Sequence, residues 1–323
     1  MINDKGQINS FASLIGQSQA IALLEGAVKA NRVAPAYLFA GSPGVGRGLA
    51  ARAFIELLFF QDISPEKQPL VQKRLQQGNH PDVLWVEPTY LQNGVRLSAA
   101  EAAEKGLKRK TPPQIRLEQI REIAQFLSRS PLEVSRQVVV LEAAETMAEA
   151  AANGLLKTLE EPGRATLILI APSPESLLPT LVSRCQRIPF YRLAQGDMAE
   201  VLRQRGYEEI LQEPSVLAIA QGSPGGAIAA FAQLQAIPPE LLTKLTQLPN
   251  SSRAALELAK EIDKTLDPST QVWLTDYLQH SYWQHRHHRG IIQKLEQART
   301  YLLKLVQPRL VWEVTLLELS QEG

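Results

Sequence analysis

The sequence predicts an α/β architecture with a parallel sheet, followed by an all-helical C-terminal part. Helical and strand-like segments alternate over the first 190 residues, the strand-like runs are almost wholly apolar, and the strand signals fade after Tyr191. Alternating elements favour a parallel sheet. Strands that are covered by helices on both faces need apolar runs of this kind.

Each element follows from its residue pattern. Apolar residues at helical spacing predict helices, and short apolar or β-branched runs predict strands. In the first part the predicted helices are 18–30 and 49–60, and the predicted strands are 36–40, 82–87, 137–141 and 166–170. Later predicted helices are 197–205, 214–220, 273–280, 291–306 and 310–319, and from about Pro238 onward the whole chain is predicted to be helical.

A polar insertion, residues 92–113, interrupts the α/β pattern. Its basic part consists of Lys105, Lys108, Arg109 and Lys110. We expect a solvated loop. A contact of this segment with DNA phosphates stays open, and because no aromatic residue lies beside the basic run, such a contact would not stack on bases.

Composition excludes several classes of protein. Of 323 residues, 34 are Lys or Arg and 33 are Asp or Glu, so the net charge of +1 gives no signal for nucleic-acid binding by the chain as a whole. The single cysteine, Cys185, excludes an internal disulfide and a multi-cysteine zinc site. The N-terminus lacks the apolar core of a signal peptide, and no run is long enough to span a membrane. We expect a soluble cytoplasmic protein of two or three domains.

A glycine-rich loop follows the first predicted strand. Residues 41–48 read GSPGVGRG, with Gly41, Gly44 and Gly46 where a phosphate-binding loop has its glycines or turn residues. Such a loop continues with Lys and then Ser or Thr, but here Arg47 and Gly48 follow. Arginine is not an equivalent phosphate ligand to lysine, and glycine offers no hydroxyl to magnesium. The loop therefore has the pattern of a phosphate loop without the groups that hydrolysis needs.

A second segment, residues 138–145, has the apolar strand and acid of the magnesium side of such a site. Glu142 occupies the metal-facing position, and Ala143 stands where a second carboxylate would orient water. Gly41, Gly44, Gly46, Arg47 and Glu142 would then form a weak or vestigial nucleotide site. An ordinary buried strand that ends in a helix-capping acid is the alternative interpretation of this segment.

Several sequence blocks together resemble the AAA+ subunits of the bacterial DNA polymerase III clamp loader. In chain order the blocks are 11–17 (FASLIGQ), 31–39 (NRVAPAYLF), 79–82 (NHPD), 151–162 (AANGLLKTLEEP) and 177–186 (LLPTLVSRCQ). The resemblance covers residues 11–190, and the last third is matched only loosely. Together with the change of pattern near Tyr191, it predicts a RecA-like AAA+ domain over 1–190, a helical lid over 191–235 and a helical collar, the oligomerisation domain, over 236–323.

The resemblance also implies a function. It implies a non-hydrolysing subunit of the DNA polymerase III holoenzyme that helps ATP-driven loading of the sliding clamp onto primed DNA. The implied partners are the gamma/tau and delta subunits, with clamp and primer–template DNA reached through the complex. No cofactor is required, ATP binding stays open, and zinc is not expected, because residues 61–78 lack the four cysteines of many family members.

Three alternative functions stay open at this point. An ATP-hydrolysing gamma/tau-like subunit is disfavoured by Arg47, Gly48 and Ala143, and also by Gly225 where such a subunit has a nucleotide-sensing arginine. The same altered loop disfavours a stand-alone ATPase. The near-neutral charge disfavours a sequence-specific DNA-binding regulator.

Arg184 is the main candidate for a functional side chain. In the family the Ser-Arg-Cys motif, here Ser183, Arg184 and Cys185, supplies an arginine finger to ATP bound on the neighbouring subunit. Without that resemblance, the ordinary interpretation of Arg184 would be a surface ion pair. Cys185 is expected to be a small buried apolar residue.

A histidine cluster lies in the last third of the chain, at His285, His287 and His288. His285 and His288 would share one helical face, but no third ligand lies at a matching spacing. We therefore expect a solvated or interface helix face there rather than a metal site.

Overall fold

The computed structural model describes residues 10–105, 112–161, 163–286 and 289–321. The chain divides into two compact units, one extending to Asp197 and one beginning at Met198. None of the described helices combines the length and the apolar composition that crossing a bilayer requires.

The N-terminal unit alternates helices and strands, as predicted. Its helices are α1 (Ser18–Lys29), α2 (Arg47–Phe60), α3 (Gln68–Gln77), α4 (Ala99–Glu104), α5 (Leu117–Leu127), α6 (Glu149–Glu160) and α7 (Pro179–Val182). Its strands are β1 (Ala36–Ala40), β2 (Val83–Val86), β3 (Tyr90–Gln92), β4 (Val95–Leu97), β5 (Gln137–Leu141), β6 (Ala165–Ala171) and β7 (Gln186–Pro189).

Five of these strands form one sheet in the order β2-β5-β6-β1-β7, and all neighbours are parallel. Every residue of β5 and β6 is buried, because helices cover both faces of the sheet. The carboxyl ends of all five strands meet at one edge of the sheet and their amino ends at the other. We call these the carboxyl edge and the amino edge. The predicted parallel α/β fold is confirmed.

The polar insertion differs from its expected form. The strands β3 and β4 pair antiparallel across Asn93 and Gly94, which both have positive φ (49° and 79°), as a two-residue hairpin turn requires. Ser98 and Glu101 then form a reciprocal cap at the start of α4, with Glu101 N donating to Ser98 Oγ and Ser98 N to Glu101 Oε2. The expectation of a solvated loop is therefore wrong for residues 92–104.

The basic run of that insertion is only partly described. Lys105 is exposed. Lys108, Arg109 and Lys110 lie outside the described residues.

The second unit is helical throughout its described part. After α8 (Gln195–Gln204), which begins just before the boundary, its helices are α9 (Pro214–Ala220), α10 (Pro224–Gln235), α11 (Pro239–Leu245), α12 (Ser252–Thr265), α13 (Pro268–Arg286), α14 (Arg289–Leu303) and α15 (Pro308–Leu319). Apolar residues from Ile237 to Leu319 form its core around Trp312. Trp312 Nε1 donates to the buried Gln271 Oε1 at 2.8 Å, so the indole's only donor is satisfied.

The division into a lid over 191–235 and a collar over 236–323 stays a prediction. His287 and His288 lie outside the described residues, as does the side chain of His285, so the histidine cluster has no structural description.

Candidate functional site

The glycine loop connects β1 to α2 at the carboxyl edge of the sheet. Gly44 and Gly46 have positive φ, 79° and 101°, and Gly46 is the N-cap of α2. A β-carbon on Gly46 would lie 2.8 Å from Leu14 Cδ1. Both glycines are therefore needed for the path of the loop, whatever it binds.

Glycine is needed at position 41 for a different structural reason. A β-carbon there would lie 2.4 Å from the carbonyl oxygen of Phe190, just beyond β7. Nearby, buried Gln17 donates from Nε2 to the carbonyl oxygens of Val45 (3.2 Å) and Tyr191 (2.7 Å) and accepts from Tyr191 N. The loop is thus tied to the chain that follows β7.

Arg47 stands at the position of the phosphate-binding lysine. Burial lowers the pKa of Arg47, and the carboxylates of Glu145 and Glu142 oppose that shift. Its Nη1 is buried without a hydrogen-bond partner among the described residues. The guanidinium remains charged at neutral pH, because arginine is not deprotonated in proteins.

Glu142 is already engaged. Its Oε2 accepts a hydrogen bond of 2.8 Å from Trp85 Nε1, and the guanidinium of Arg52 lies 4.5 Å from the centre of the Trp85 ring. The next residue, Ala143, adopts a left-handed conformation (φ 48°) in which its carbonyl accepts from Thr146 Oγ1 at 2.7 Å.

Three groups of a hydrolysing magnesium–nucleotide site are missing or already engaged here. Gly48 brings no hydroxyl, Ala143 brings no carboxylate, and Glu142 is bound to an indole. Within the described ranges no group of three or more His, Cys, Asp or Glu side chains could hold a metal ion. The weak or vestigial nucleotide site and the absence of zinc stay predictions.

Arg184 lies at the opposite edge of the sheet. It precedes β7, whose register with β1 pairs Tyr37 with Gln186 and Ala40 with Pro189. Arg184 and Gly41 are therefore separated by at least the length of β7, about 13 Å at 3.3 Å per residue. The arginine and the glycine loop do not form one site within this chain.

The guanidinium of Arg184 is held by two groups. Nη2 forms an ion pair with Glu160 Oε1 at 2.9 Å, and Nη1 donates to the carbonyl oxygen of Thr180 at 3.0 Å. The side chains of Arg184 and Glu160 remain 38% and 54% exposed. Another molecule could therefore reach this pair.

The two neighbours of Arg184 in the motif have structural contacts. Ser183 Oγ donates to the carbonyl oxygen of Thr180 at 3.0 Å. Cys185 packs against the core of the sheet, and burial raises the pKa of its thiol to about 11. The thiol is therefore protonated at neutral pH and packs as an apolar group.

The block 79–82 is a structural support rather than a reactive site. Asp82, 1% exposed, accepts backbone hydrogen bonds from Leu132, Glu133 and Val134 at 2.6–3.1 Å. These bonds fix the segment that leads into β5.

Glu160 is a candidate functional residue that the sequence motifs did not identify. It belongs to block 151–162, whose Pro162 lies outside the described residues, and it meets Arg184 of the block 177–186. The sequence did offer one signal for this contact: the first block carries an acidic residue near its end, and the second carries a basic one.

Two protein families match this chain, and together they cover most of it. Residues 16–194 match the family described as DNA polymerase III, delta subunit, and residues 196–319 match the C-terminal domain of cyanobacterial DNA polymerase III delta prime.

Two curated relatives are named DNA polymerase III subunit delta prime. The Bacillus subtilis protein is 32% identical over 180 residues, which is 55% of this chain and 48% of that protein. The Pseudomonas aeruginosa protein is 37% identical over 156 residues, which is 47% of this chain and 42% of that protein. The match thus spans a little under half the length of these relatives.

Similarity to a solved structure supports the fold of this chain and nothing beyond it. A gamma subunit-related protein of DNA polymerase III from Thermotoga maritima superposes with a TM-score of 0.54 at 18% identity, over 94% of this chain and 99% of that one. The predicted fold class, a parallel α/β domain followed by helices, is confirmed.

The altered glycine loop and the motif blocks predict delta prime rather than gamma/tau, and the two family matches agree with that choice. The chain belongs to the delta-prime family of DNA polymerase III subunits.

Proposed function

We propose that this protein is a non-hydrolysing clamp-loader subunit that supplies Arg184 in trans to ATP bound on an adjacent gamma/tau subunit. It would act in the cytoplasm as part of the DNA polymerase III holoenzyme, helping to load the sliding clamp onto primed DNA. Its own glycine loop would have a structural role.

The position of Arg184 is the observation that supports this proposal most strongly. The side chain is charged and half-exposed, at the edge of the sheet opposite the chain's own glycine loop. It is too far from that loop to serve it. An arginine used in phosphate chemistry here must therefore serve another molecule.

A guanidinium suits that task. Its planar fork can donate two parallel hydrogen bonds to phosphate oxygens and remains charged at any working pH. An arginine that reaches the γ-phosphate stabilises the charge of the transition state and is worth roughly 10³–10⁵ in kcat at the site it completes.

The experiment is reconstitution of the loader with wild-type or Arg184→Ala subunit, followed by ATPase assays with clamp and primed DNA. We expect normal assembly, because an exposed ion pair contributes only about 0–1 kcal/mol to stability. The site that Arg184 completes should lose about 10³-fold in kcat, so clamp loading slows. Arg184→Lys should rescue poorly, because an ammonium cannot reproduce the fork.

Matched controls make the result specific. Arg187→Ala removes an exposed arginine from β7 at the same edge and should leave the rate unchanged. The isolated subunit should not turn over ATP; turnover that is abolished by Gly46→Asp would instead favour a gamma/tau-like ATPase. Equal rates for Arg184→Ala and wild-type complexes would refute the trans role.

Assembly is the second part of the proposal. We assign it to the collar, residues 236–323, where an apolar groove of about 280 Å³ between α14 and α15 is lined by Tyr301, Val306, Leu310 and Val314. These four side chains are more than a third exposed. A chain that ends at residue 236 should fail to enter a complex with gamma/tau and delta, and stoichiometric entry would contradict the assignment.

A further inference from the structure

The ion pair between Glu160 and Arg184 joins two segments that are 24 residues apart. Glu160 is the last residue of α6, and Arg184 follows the short helix α7. The C-terminal end of α6 and the carbonyl oxygen of Thr180, which also accepts from Ser183 Oγ, both favour a cation at this point. The guanidinium therefore has a defined place in the free subunit.

The contacts leave the arginine able to bind a further anion. A guanidinium has five N–H donors. One donor of Nη2 goes to Glu160 and one of Nη1 to Thr180. Three donors remain, and the exposed fraction of the side chain allows a phosphate to approach them.

We propose that Glu160 is a positioning residue that holds the Arg184 fork in the orientation needed for a nucleotide phosphate on a neighbouring subunit. This inference rests on the trans role proposed above. A free arginine side chain samples many rotamers and loses that freedom when it binds. The carboxylate of Glu160 fixes the rotamer beforehand, so less ordering is left for the moment of phosphate contact.

Positioning and competition predict opposite results. If Glu160 orients the fork, its loss lowers the turnover rate without changing the affinity of the neighbouring site for ATP. If Glu160 competes with phosphate for the same donors, its loss raises turnover or affinity.

The test uses the reconstituted loader with Glu160→Gln, which keeps the shape of the side chain and removes its charge. We expect kcat of the DNA-stimulated ATPase to fall about fivefold with KM for ATP unchanged, because only the orientation of the arginine is lost. Glu161→Gln is the matched control, since Glu161 is an adjacent exposed carboxylate and its loss should leave kcat at the wild-type value.

The double variant Arg184→Ala/Glu160→Gln separates this inference from the proposed function. It should be no slower than Arg184→Ala alone, because Glu160 acts through Arg184. If Arg184→Ala is impaired while Glu160→Gln equals or exceeds the wild type, this inference is overturned and the trans role stands. If Arg184→Ala has no effect, the proposed function fails and this inference fails with it.

A second readout needs no ATPase. In the full chain alone, phenylglyoxal should modify Arg184 about threefold faster in Glu160→Gln than in the wild type, as read by mass spectrometry of the peptide that contains it. Arg253, which pairs with Glu257, is an internal reference whose rate should not change. An unchanged rate at Arg184 would mean that Glu160 does not hold the fork, and would overturn the inference.

Discussion

The two edges of the five-stranded sheet differ in what they retain. At the carboxyl edge, the glycine loop keeps the backbone path of a phosphate loop, but Arg47, Gly48 and Ala143 replace the groups that the chemistry needs. At the amino edge, Arg184 matches the family motif and its charged side chain is partly exposed.

The difference teaches that glycines in the pattern of a phosphate loop can each have a packing reason of their own. Gly41 has no room for a side chain beside Phe190, and Gly46 needs its left-handed conformation to start α2. Neither requirement involves a ligand. Arg184, by contrast, makes only surface contacts that contribute little to stability, so packing does not account for an arginine at this position.

The largest expected effect is at Gly41. Gly41→Ala places a β-carbon 2.4 Å from the Phe190 carbonyl oxygen, so the backbone of the loop or of the segment after β7 must move. We expect the N-terminal unit to lose about 3 kcal/mol of unfolding free energy, at the upper end of the cost of overpacking. Hydrogen exchange read on peptides of β1 and β5 measures the opening of this unit separately.

An opening free energy within about 0.5 kcal/mol of the wild type would contradict the packing role of Gly41. Such a result would leave the glycine at position 41 without a packing reason, and would remove the contrast between the two edges.

Four of the five strands of the sheet could be predicted from the sequence because they are continuous apolar runs. The fifth strand, β7, was missed, because its first two residues, Gln186 and Arg187, are polar and exposed. The hairpin of β3 and β4 was missed because each strand has three residues, although Asn93 and Gly94 are a strong turn signal. The departures of the glycine loop from the phosphate-loop pattern are visible in the sequence itself, since they are residue types at fixed spacing.

The side-chain contacts at the two edges could not be predicted from the sequence. Gly41 is constrained by Phe190, Glu142 is bound by Trp85, and Arg184 is held by Glu160. Each pair joins positions far apart in the chain, and no local periodicity relates them. Their partners are set by the order of strands in the sheet and by helix packing.

A smaller effect is expected at the amino edge, at His80. This side chain is 3% exposed; its Nδ1 accepts from Asp82 N, and its Nε2 lies 3.6 Å from Glu133 Oε2. Burial lowers the pKa of His80, which Asp82 opposes and Arg74 reinforces. The unfolded chain therefore binds a proton more readily, and stability falls as the pH drops below about 6.5, toward the lowered pKa.

The slope should reach at most about 1.4 kcal/mol per pH unit in that window. His80→Asn keeps an acceptor for Asp82 N and should remove this slope, whereas values measured near pH 8 give the baseline cost of the substitution. Burial also raises the pKa of Glu56, which acts in the opposite direction at lower pH, so the difference between wild type and variant is the quantity to compare. Parallel pH profiles for the two proteins would refute a titrating His80.

The smallest effect is expected at Gly48. Substitutions there test whether the fold leaves room for the side-chain hydroxyl that a phosphate loop has at this position. Gly48 lies in the first turn of α2, and a β-carbon there would have no neighbouring atom within 4 Å. Gly48→Ala should therefore stabilise the N-terminal unit by about 0.5 kcal/mol, because alanine favours a helix and nothing is displaced. Hydrogen exchange on α2 peptides measures this. Gly48→Ser should also be tolerated, in which case lack of space does not explain the missing hydroxyl. If instead Gly48→Ala destabilises the unit as Gly41→Ala does, the whole loop is constrained by packing, and its departure from the phosphate-loop pattern would have a structural cause.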